Sequence, residues 1–418
     1  MLITRRKFIV GCSTGIAALA GARLTGLTFA ADAENSSSHN MLVLVFLRGG
    51  CDGLSLVGPV DDRFYAAARG IEIRILDNGA NKGLPMANGL GGADFRFHPK
   101  ASGLKELYDS RMLAIVHACG LTDGTRSHFD AMDLMERGVA DHTQKNLSTG
   151  WLTRHLISAK RGGMLTAAAV SSSLPASLLG SSAAYSVMDT AGFTLYGGES
   201  QHQVLTRLYA GNTAVHEAGR HTLRALEVIG KKVQRDESGN IISYQPSINS
   251  NYMEGDLSNS LKTVAQIIKM DVGLQVATVD YGGWDTHEYQ GAIFPTLTEE
   301  LSRSLAAFWN DMSVFHNRLT VVVMSEFGRR LKSNESSGTD HGHGNLMMVL
   351  GGHIHGGKMY GKWPGLANEQ LDSGADLAVT TDYRTVLSEI LEHRLQNSNL
   401  KQIFPGFGPH QPLGLIHK

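Results

Sequence analysis

Short, continuous apolar runs that end at glycine or at small polar residues recur along the chain. A run of about four to eight apolar residues bounded by turn residues is typical of a strand that is buried on both faces of a parallel sheet. The runs that fit this pattern are residues 41–47, 113–116, 274–280, 319–324 and 346–350.

Segments with helical periodicity lie between these runs. In residues 295–316 the large apolar side chains recur at spacings of three and four, which places them on one face of a helix with Pro295 near its start. Strands that alternate with helices predict an α/β fold, with a mostly parallel central sheet and helices on both faces. Functional sites of such sheets form at the carboxyl ends of the strands. The other predicted helices are residues 131–137, 217–232, 258–270 and 382–392.

The first residues resemble a twin-arginine export signal. Arg5 and Arg6 precede a weakly apolar stretch rich in glycine and alanine, and small residues suited to cleavage follow at Ala30 and Ala33. This pathway exports folded proteins. The signal therefore predicts a bacterial protein that is periplasmic or otherwise exported, with the twin-arginine translocase as its partner during export. The predicted organisation is a signal peptide (1–33), a polar linker (34–40) and a single α/β domain (41–418), in which residues 236–256 form a loop or cap.

Composition argues against several classes of protein. The formal net charge of −1, without a block of lysine or arginine, argues against a nucleic-acid partner. After the signal no apolar run approaches the ~18 residues of a membrane-spanning helix, so no span is expected once the signal is cleaved. No Cys-x-x-Cys pair is present to build a zinc or iron–sulfur site. Cys51 and Cys119, each near a predicted strand end, are compatible with a disulfide or with two buried thiols.

Carboxylates and imidazoles cluster where the predicted strands end or begin. Imidazole nitrogen and carboxylate oxygen together suit a divalent metal such as zinc, manganese or iron, and carboxylates also suit calcium. The alternative is that these residues form hydrogen-bonded turns and ordinary ion pairs, for example between Glu326 and Arg329 or Arg330. The candidate metal ligands are Asp285, His287, Glu326, Asp340, His341 and His343.

Two further segments carry candidate chemistry. Asp52 follows the first predicted strand, where it is either a metal ligand or part of an Asp-Gly turn. Arg126, Ser127 and His128 stand at the start of a predicted helix. A hydroxyl at that position is either a nucleophile favoured by the helix dipole or an N-cap. These three residues are therefore the candidate catalytic residues.

These motifs together resemble the exported bacterial family of domain of unknown function 1501 (DUF1501). That pattern is in turn similar to the alkaline phosphatase superfamily, which includes sulfatases. The motifs are the twin-arginine start, Leu47-Arg-Gly-Gly-Cys-Asp-Gly-Leu54, Arg126-Ser-His-Phe-Asp130, Gly283-Trp-Asp-Thr-His287, Ser325-Glu-Phe-Gly-Arg329 and Asp340-His-Gly-His-Gly-Asn345.

The superfamily resemblance implies an alkaline phosphatase-like fold, with Ser127 as nucleophile and Asp52 as a metal ligand. It also implies ligands at the Asp285–His287 pair and at His341 or His343, and an anion clamp from Arg48, Arg126 or Arg329. One departure bears on the metal count, because Ser325-Glu326 stands where the superfamily has Asp-His. The chain therefore holds one metal, uses His128 in place of the missing imidazole, or holds none.

Three functions are considered for a chain with these motifs. The first is a metal-dependent hydrolase of phosphate or sulfate esters, with an anionic small molecule or a glycan ester as substrate. The second is a non-catalytic binding or scaffold protein on the same fold, with a partner protein of the cell envelope. The third, an exported redox enzyme, is disfavoured because the chain lacks a cysteine cluster, a haem-attachment motif and a Gly-x-Gly-x-x-Gly sequence after the first strand.

Overall fold

The computed structural model describes residues 39–79, 81–144, 147–159, 165–190 and 198–417. The predicted signal peptide and most of the predicted linker lie outside the described residues. Within these ranges no helix combines the length and the apolar character needed to cross a membrane.

A mostly parallel sheet forms the centre of the fold. The strands in chain order are β1 (Met41–Leu47), β2 (Val57–Pro59), β3 (Leu84–Pro85), β4 (Phe95–Phe97), β5 (Leu113–Gly120), β6 (Ala167–Val170), β7 (Ala184–Ser186), β8 (Val276–Tyr281), β9 (Leu319–Met324), β10 (Arg329–Ser333), β11 (Thr339–His341), β12 (Asn345–Gly351), β13 (Lys358–Tyr360) and β14 (Thr381–Asp382). The central sheet has the order β13-β5-β12-β9-β1-β8-β6-β7, with β14 beside β5. β12 pairs antiparallel with β5 and β9, whereas the other pairings in this sheet are parallel.

The predicted strands are confirmed, with shifts at the ends of three of them. β5 continues to Gly120, so Cys119 lies within the strand rather than after it. Cys51 and Cys119 are both buried free thiols, and burial raises the pKa of each well above its usual value. The structure therefore contains two buried thiols and no disulfide between Cys51 and Cys119.

Helices flank the sheet and connect its strands. They are α1 (Gly53–Leu56), α2 (Arg63–Ala68), α3 (Ser102–Asp109), α4 (His128–Arg137), α5 (Trp151–Ala159), α6 (Gly198–Leu208), α7 (Ala214–Lys232), α8 (Asp256–Lys269), α9 (Gln290–Asp311), α10 (Tyr383–His393) and α11 (Leu400–Ile403). Short 3-10 turns lie at His142–Gln144, Ala176–Leu178, Ser313–Phe315 and Asn368–Gln370. Residues 236–255 form no helix or strand.

Side chains of β1 alternate between two hydrophobic cores, one on each face of the sheet. Met41, Val43 and Val45 pack in the core that includes residues of α3, α8 and α9. Leu42, Leu44 and Phe46 pack in the core that includes residues of α4, α5 and α10. Because both faces of the strand are buried, its sequence is continuously apolar. This confirms the α/β class with helices on both faces.

The start of α9 differs from the prediction. The helix begins at Gln290, so Pro295 lies in its second turn and removes one backbone hydrogen bond there. The loop before the helix sets this earlier start. The backbone N–H groups of Tyr289 and Gln290 donate to the carbonyl oxygens of Ser336 and Ser337.

Candidate metal centre

Asp285 lies among three histidines beyond the carboxyl ends of β8 and β9. Its Oδ1 atom is 3.1 Å from Nε2 of His287 and 3.2 Å from Nε2 of His341. Its Oδ2 atom is 3.4 Å from Nε2 of His128. His128, Asp285 and His341 each offer a ligand atom within 4.8 Å of the other two. The structure therefore brings together four of the residues singled out in the sequence.

Separate elements supply these side chains. His128 is the first residue of α4, and His341 is the last residue of β11. Asp285 and His287 lie in the loop between β8 and α9. The glycine-rich end of β1 packs against this loop. A Cβ at Gly49 would lie 2.5 Å from the backbone nitrogen of Asp285, and Gly49 has a φ of 118°, so this close approach requires glycine.

Each of the three imidazoles has its Nδ1 atom fixed by a hydrogen-bond acceptor. His128 Nδ1 is 2.7 Å from Oε1 of Glu326, and His287 Nδ1 is 3.2 Å from Oδ1 of Asp340. His341 Nδ1 is 2.8 Å from the backbone oxygen of Arg126. Carboxylates and carbonyls only accept, so each Nδ1 carries a proton and each Nε2 atom faces Asp285. On a neutral ring this Nε2 atom presents its lone pair. Metal-binding histidines have this arrangement, in which the second ring nitrogen donates to a carboxylate or a carbonyl.

The inward-facing nitrogens fit a bound cation. Nε2 of His287 and Nε2 of His341 are only 2.8 Å apart. With both Nδ1 atoms protonated, two neutral rings would direct their lone pairs at each other, which is repulsive unless a metal ion or a proton shared by the two nitrogens lies between them. Nε2 of His128 is buried and has no hydrogen-bond partner among the described residues. Three imidazoles and one carboxylate suit zinc, manganese or iron, and they disfavour calcium, which prefers oxygen ligands.

A buried arginine holds the central carboxylate. The side chain of Arg329 is fully buried, and its Nη2 atom donates to Oδ1 of Asp285 over 2.6 Å. Arg329 also donates to the backbone oxygens of Gly50 and Thr339. Burial alone would raise the pKa of Asp285, but the hydrogen bond and the charge of Arg329 outweigh it and lower this pKa to about 2. Asp285 therefore stays ionised in a fixed orientation.

Glu326 holds His128 instead of joining the group around Asp285. Its side chain is buried, and Oε1 accepts hydrogen bonds from His128 Nδ1 and from the backbone nitrogen of Gly49. Burial would raise the pKa of Glu326, but these hydrogen bonds lower it. The same hydrogen bond raises the pKa of His128 against the effect of burial. Asp340 has the same role for His287, because it accepts a hydrogen bond from Nδ1 of that histidine. Asn334 also donates to Asp340, and this hydrogen bond lowers the pKa of Asp340.

Replacing Glu326 with glutamine is expected to weaken metal binding by about 10- to 100-fold, the usual cost of losing such a partner. The glutamine keeps the shape of the side chain but removes the charge that faces His128. Zinc affinity measured by competition with a chromophoric chelator tests this. Glu300→Gln is the matched control, because Glu300 is also a hydrogen-bonded carboxylate but lies on α9 against Tyr281 and α8. Equal affinity for Glu326→Gln and wild type would contradict a positioning role.

Two predicted ligands lie elsewhere. Asp52 is fully buried in an ion pair with Arg69, in which Nη1–Oδ2 is 2.5 Å and Nη2–Oδ1 is 3.0 Å. Gln290 and Ser55 also donate to Asp52. His343 directs Nδ1 to Asp372 and Nε2 to the backbone oxygen of Leu121. Both side chains are thus occupied by protein partners, in contrast to the group around Asp285.

The candidate catalytic residues 126–128 contact the group around Asp285 partly through a backbone atom. Ser127 is the N-cap of α4, and its Oγ accepts from the backbone nitrogen of Asp130 over 3.4 Å. The carbonyl of Arg126 accepts from His341, whereas its guanidinium pairs with Asp376. A nucleophilic role for Ser127 stays a prediction.

The arginines expected to clamp an anion have carboxylate partners. Arg126 pairs with Asp376, and Arg329 with Asp285. Arg48 lies 2.6 Å from Glu136 and 2.8 Å from Asp280.

Residues 244–398 match the family model described as protein of unknown function (DUF1501). This confirms the resemblance over that segment of the chain. The DUF1501 segment includes Asp285, His287 and His341, whereas His128 precedes it. No match was found among curated proteins.

Several solved structures share a low overall similarity with this chain. One is the C-terminal periplasmic domain of EcEptC from Escherichia coli in complex with Zn, at 8% identity and a TM-score of 0.36, covering 78% of this chain and 77% of that one. Another is a protein in the alkaline phosphatase superfamily from Vibrio parahaemolyticus, at 10% identity and a TM-score of 0.32, covering 84% and 69%. A third is alkaline phosphatase from the Antarctic bacterium TAB5, at 10% identity and a TM-score of 0.30, covering 75% and 92%.

Proposed function

We propose that this protein is an exported, metal-dependent hydrolase of phosphate or sulfate esters, with a single divalent metal held by His128, Asp285, His287 and His341. The observation that carries the proposal is the orientation of the three imidazoles. Each directs Nε2 toward the Asp285 carboxylate while its Nδ1 is fixed by an acceptor of its own. Histidines that only stabilise a fold have no need to share one orientation around one carboxylate.

Different residues have different roles in the proposed reaction. A divalent metal, when bound, would supply Lewis acidity to the ester oxygens. Glu326 and Asp340 keep two imidazoles in the orientation and tautomer that binding requires, and Arg329 keeps Asp285 ionised. The Ser127 hydroxyl, at the N-terminus of α4, is the proposed nucleophile, because the helix dipole there favours negative charge on its oxygen.

The pairing of the arginines favours a second candidate, a binding or scaffold protein of the cell envelope that keeps the metal site for structure. Arg48, Arg126 and Arg329, each beside a carboxylate, are not free to bind a substrate anion. A hydrolase then relies on the metal and on the start of α4 to stabilise negative charge, whereas a scaffold needs neither.

Metal content and turnover together test the proposal. We expect the mature protein, purified without chelators, to hold about one zinc, manganese or iron ion per chain in elemental mass spectrometry. We also expect it to hydrolyse at least one member of a panel of aryl phosphates and sulfates. Ser127→Ala should abolish that turnover while the metal content stays unchanged, and the exposed Ser238→Ala should behave as wild type. A metal-loaded protein with no turnover on the panel would favour the scaffold, and a protein without stoichiometric metal would contradict the site.

A further inference from the structure

The loop before α4 carries three parts of the proposed site. The carbonyl oxygen of Arg126 accepts a hydrogen bond from Nδ1 of His341 over 2.8 Å. Ser127 and His128 follow directly, as the N-cap and the first residue of α4. In the described part of the chain, residues 122–126 form no hydrogen bond from backbone to backbone. Side chains must therefore fix the position of this loop.

The Arg126 side chain ties the loop to a buried carboxylate. Its Nε atom donates to Oδ2 of Asp376 over 2.8 Å, and its Nη2 atom donates to the same oxygen. Its Nη1 atom donates to the backbone oxygen of Gly124 over 3.1 Å, which braces the loop from within. The Asp376 side chain is fully buried, so water weakens this ion pair less than it weakens a pair on the open surface.

The backbone fixes the segment around Asp376 on two sides. Asp376 forms an isolated antiparallel bridge with Arg330 of β10. The backbone nitrogen of Gly344, between β11 and β12, donates to the backbone oxygen of Leu377 over 2.7 Å. β10 begins with Arg329, the residue that holds the central carboxylate of the site. The carboxylate of Asp376 therefore has a fixed place relative to the other side of the proposed metal centre.

A second pair of side chains supports the same loop. Nδ1 of His343 lies 2.7 Å from Oδ2 of Asp372, and Nε2 of His343 lies 2.9 Å from the backbone oxygen of Leu121, where the loop begins. The same Asp372 oxygen is 3.7 Å from Nη2 of Arg126. His343, which the sequence predicts as a metal ligand, thus contacts the loop that carries part of the site.

We propose that Asp376 is a positioning residue of the metal centre, which acts through Arg126 on His341 and on the start of α4. The inference rests on the proposed function, because it concerns the ligands of the metal in that proposal. With its guanidinium held by Asp376, Arg126 keeps its carbonyl oxygen facing Nδ1 of His341 and keeps His128 in place two residues later. Without this anchor the loop is free to move, and metal binding then includes the entropic cost of ordering it.

Zinc affinity, measured by competition with a chromophoric chelator, tests this inference without turnover. We expect Asp376→Ala to weaken zinc binding by about 3- to 10-fold, less than the loss of about 10- to 100-fold for a group that bonds directly to a ligand. Arg126→Ala, which keeps the backbone carbonyl, should cause a loss of similar size. The double variant should lose no more than either single variant, because both changes break one connection. The visible spectrum of the cobalt-loaded protein should change in all three variants, because it depends on how the ligands are arranged.

Asp311→Ala is the matched control. The Asp311 side chain is also fully buried and lies 2.6 Å from a cation, Nζ of Lys269, but Asp311 ends α9, about 30 Å from the first residue of that helix. We expect this variant to lower the melting temperature of the zinc-free protein and to leave its zinc affinity unchanged.

Three results would overturn the inference while the proposed function stands. They are wild-type zinc affinity in Asp376→Ala, an equal loss of affinity in Asp311→Ala, and losses that add in the double variant. Wild-type protein that binds no stoichiometric zinc would contradict the proposed function itself.

Discussion

Replacing Asp285 with alanine is expected to abolish the stabilisation of this protein by zinc. Asp285 is the carboxylate on which the three imidazoles converge, so its loss removes one ligand and the fixed centre of the group. A metal that binds only the folded state adds about 4 kcal/mol of stability at a free concentration of about 1,000 times its dissociation constant. In wild type we therefore expect a higher melting temperature with zinc than with chelator, and in Asp285→Ala no difference.

The comparison must be made within each variant, because Asp285→Ala also leaves the buried Arg329 guanidinium without its carboxylate. That loss lowers stability with and without zinc, whereas loss of the site removes only the zinc-dependent part. Asp280→Ala is the control, since Asp280 is a carboxylate within β8 that pairs with Arg48. A zinc-dependent rise in melting temperature that persists in Asp285→Ala would show that the metal binds elsewhere.

Replacing Arg69 with methionine is expected to cost about 3 to 5 kcal/mol of unfolding free energy, which is the typical result of removing one partner from a buried ion pair. Asp52 would be left fully buried without a counter-charge, with only Gln290 and Ser55 to donate to it. The double variant Asp52→Asn with Arg69→Met should recover part of the loss, because no buried charge remains. Urea denaturation at pH 7 measures these differences. A cost below about 1 kcal/mol for Arg69→Met would contradict this account.

The same ion pair predicts a direction for the pH dependence. Burial would raise the pKa of Asp52, but the charge and hydrogen bonds of Arg69 lower it below the value of the unfolded chain. The pair therefore contributes its full stability above the unfolded pKa of about 4, and this contribution is lost as the pH falls through the lower folded pKa. Unfolding free energies measured from pH 6 down to pH 3 should fall less steeply for Asp52→Asn than for wild type.

The sequence was a good guide to the sheet and a partial guide to the site. Buried parallel strands leave a local signal, because both faces of each strand must be apolar. The spacing of Asp285 and His287 predicts two side chains on one side, and their atoms do lie 3.1 Å apart. The same reasoning fails for His341 and His343, because β11 ends at His341 and the chain then turns. His343 consequently meets Asp372.

Other parts of the site depend on contacts that no local pattern encodes. Glu326 and Asp340 carry the same chemical groups as ligands, and only the fold shows that each faces the Nδ1 atom of a histidine. The partner of Asp52 is Arg69, which caps the C-terminus of α2 and lies outside any motif in the sequence. Asn334 donates to Asp340 and Gln290 donates to Asp52. Both contacts form only when segments that are distant in sequence pack together.

The proposed ligands come from distant parts of the chain, so both parts must fold before the site can bind a metal. His128 comes from the first third of the sequence, whereas Asp285, His287 and His341 come from the last third. A nascent or truncated chain that lacks either part cannot assemble the centre, so tight metal capture reports that the chain has folded as a whole. Export in folded form, which the first residues predict, would then let the proposed centre take up its metal in the cytoplasm, so that the choice between zinc, manganese and iron would be made before export.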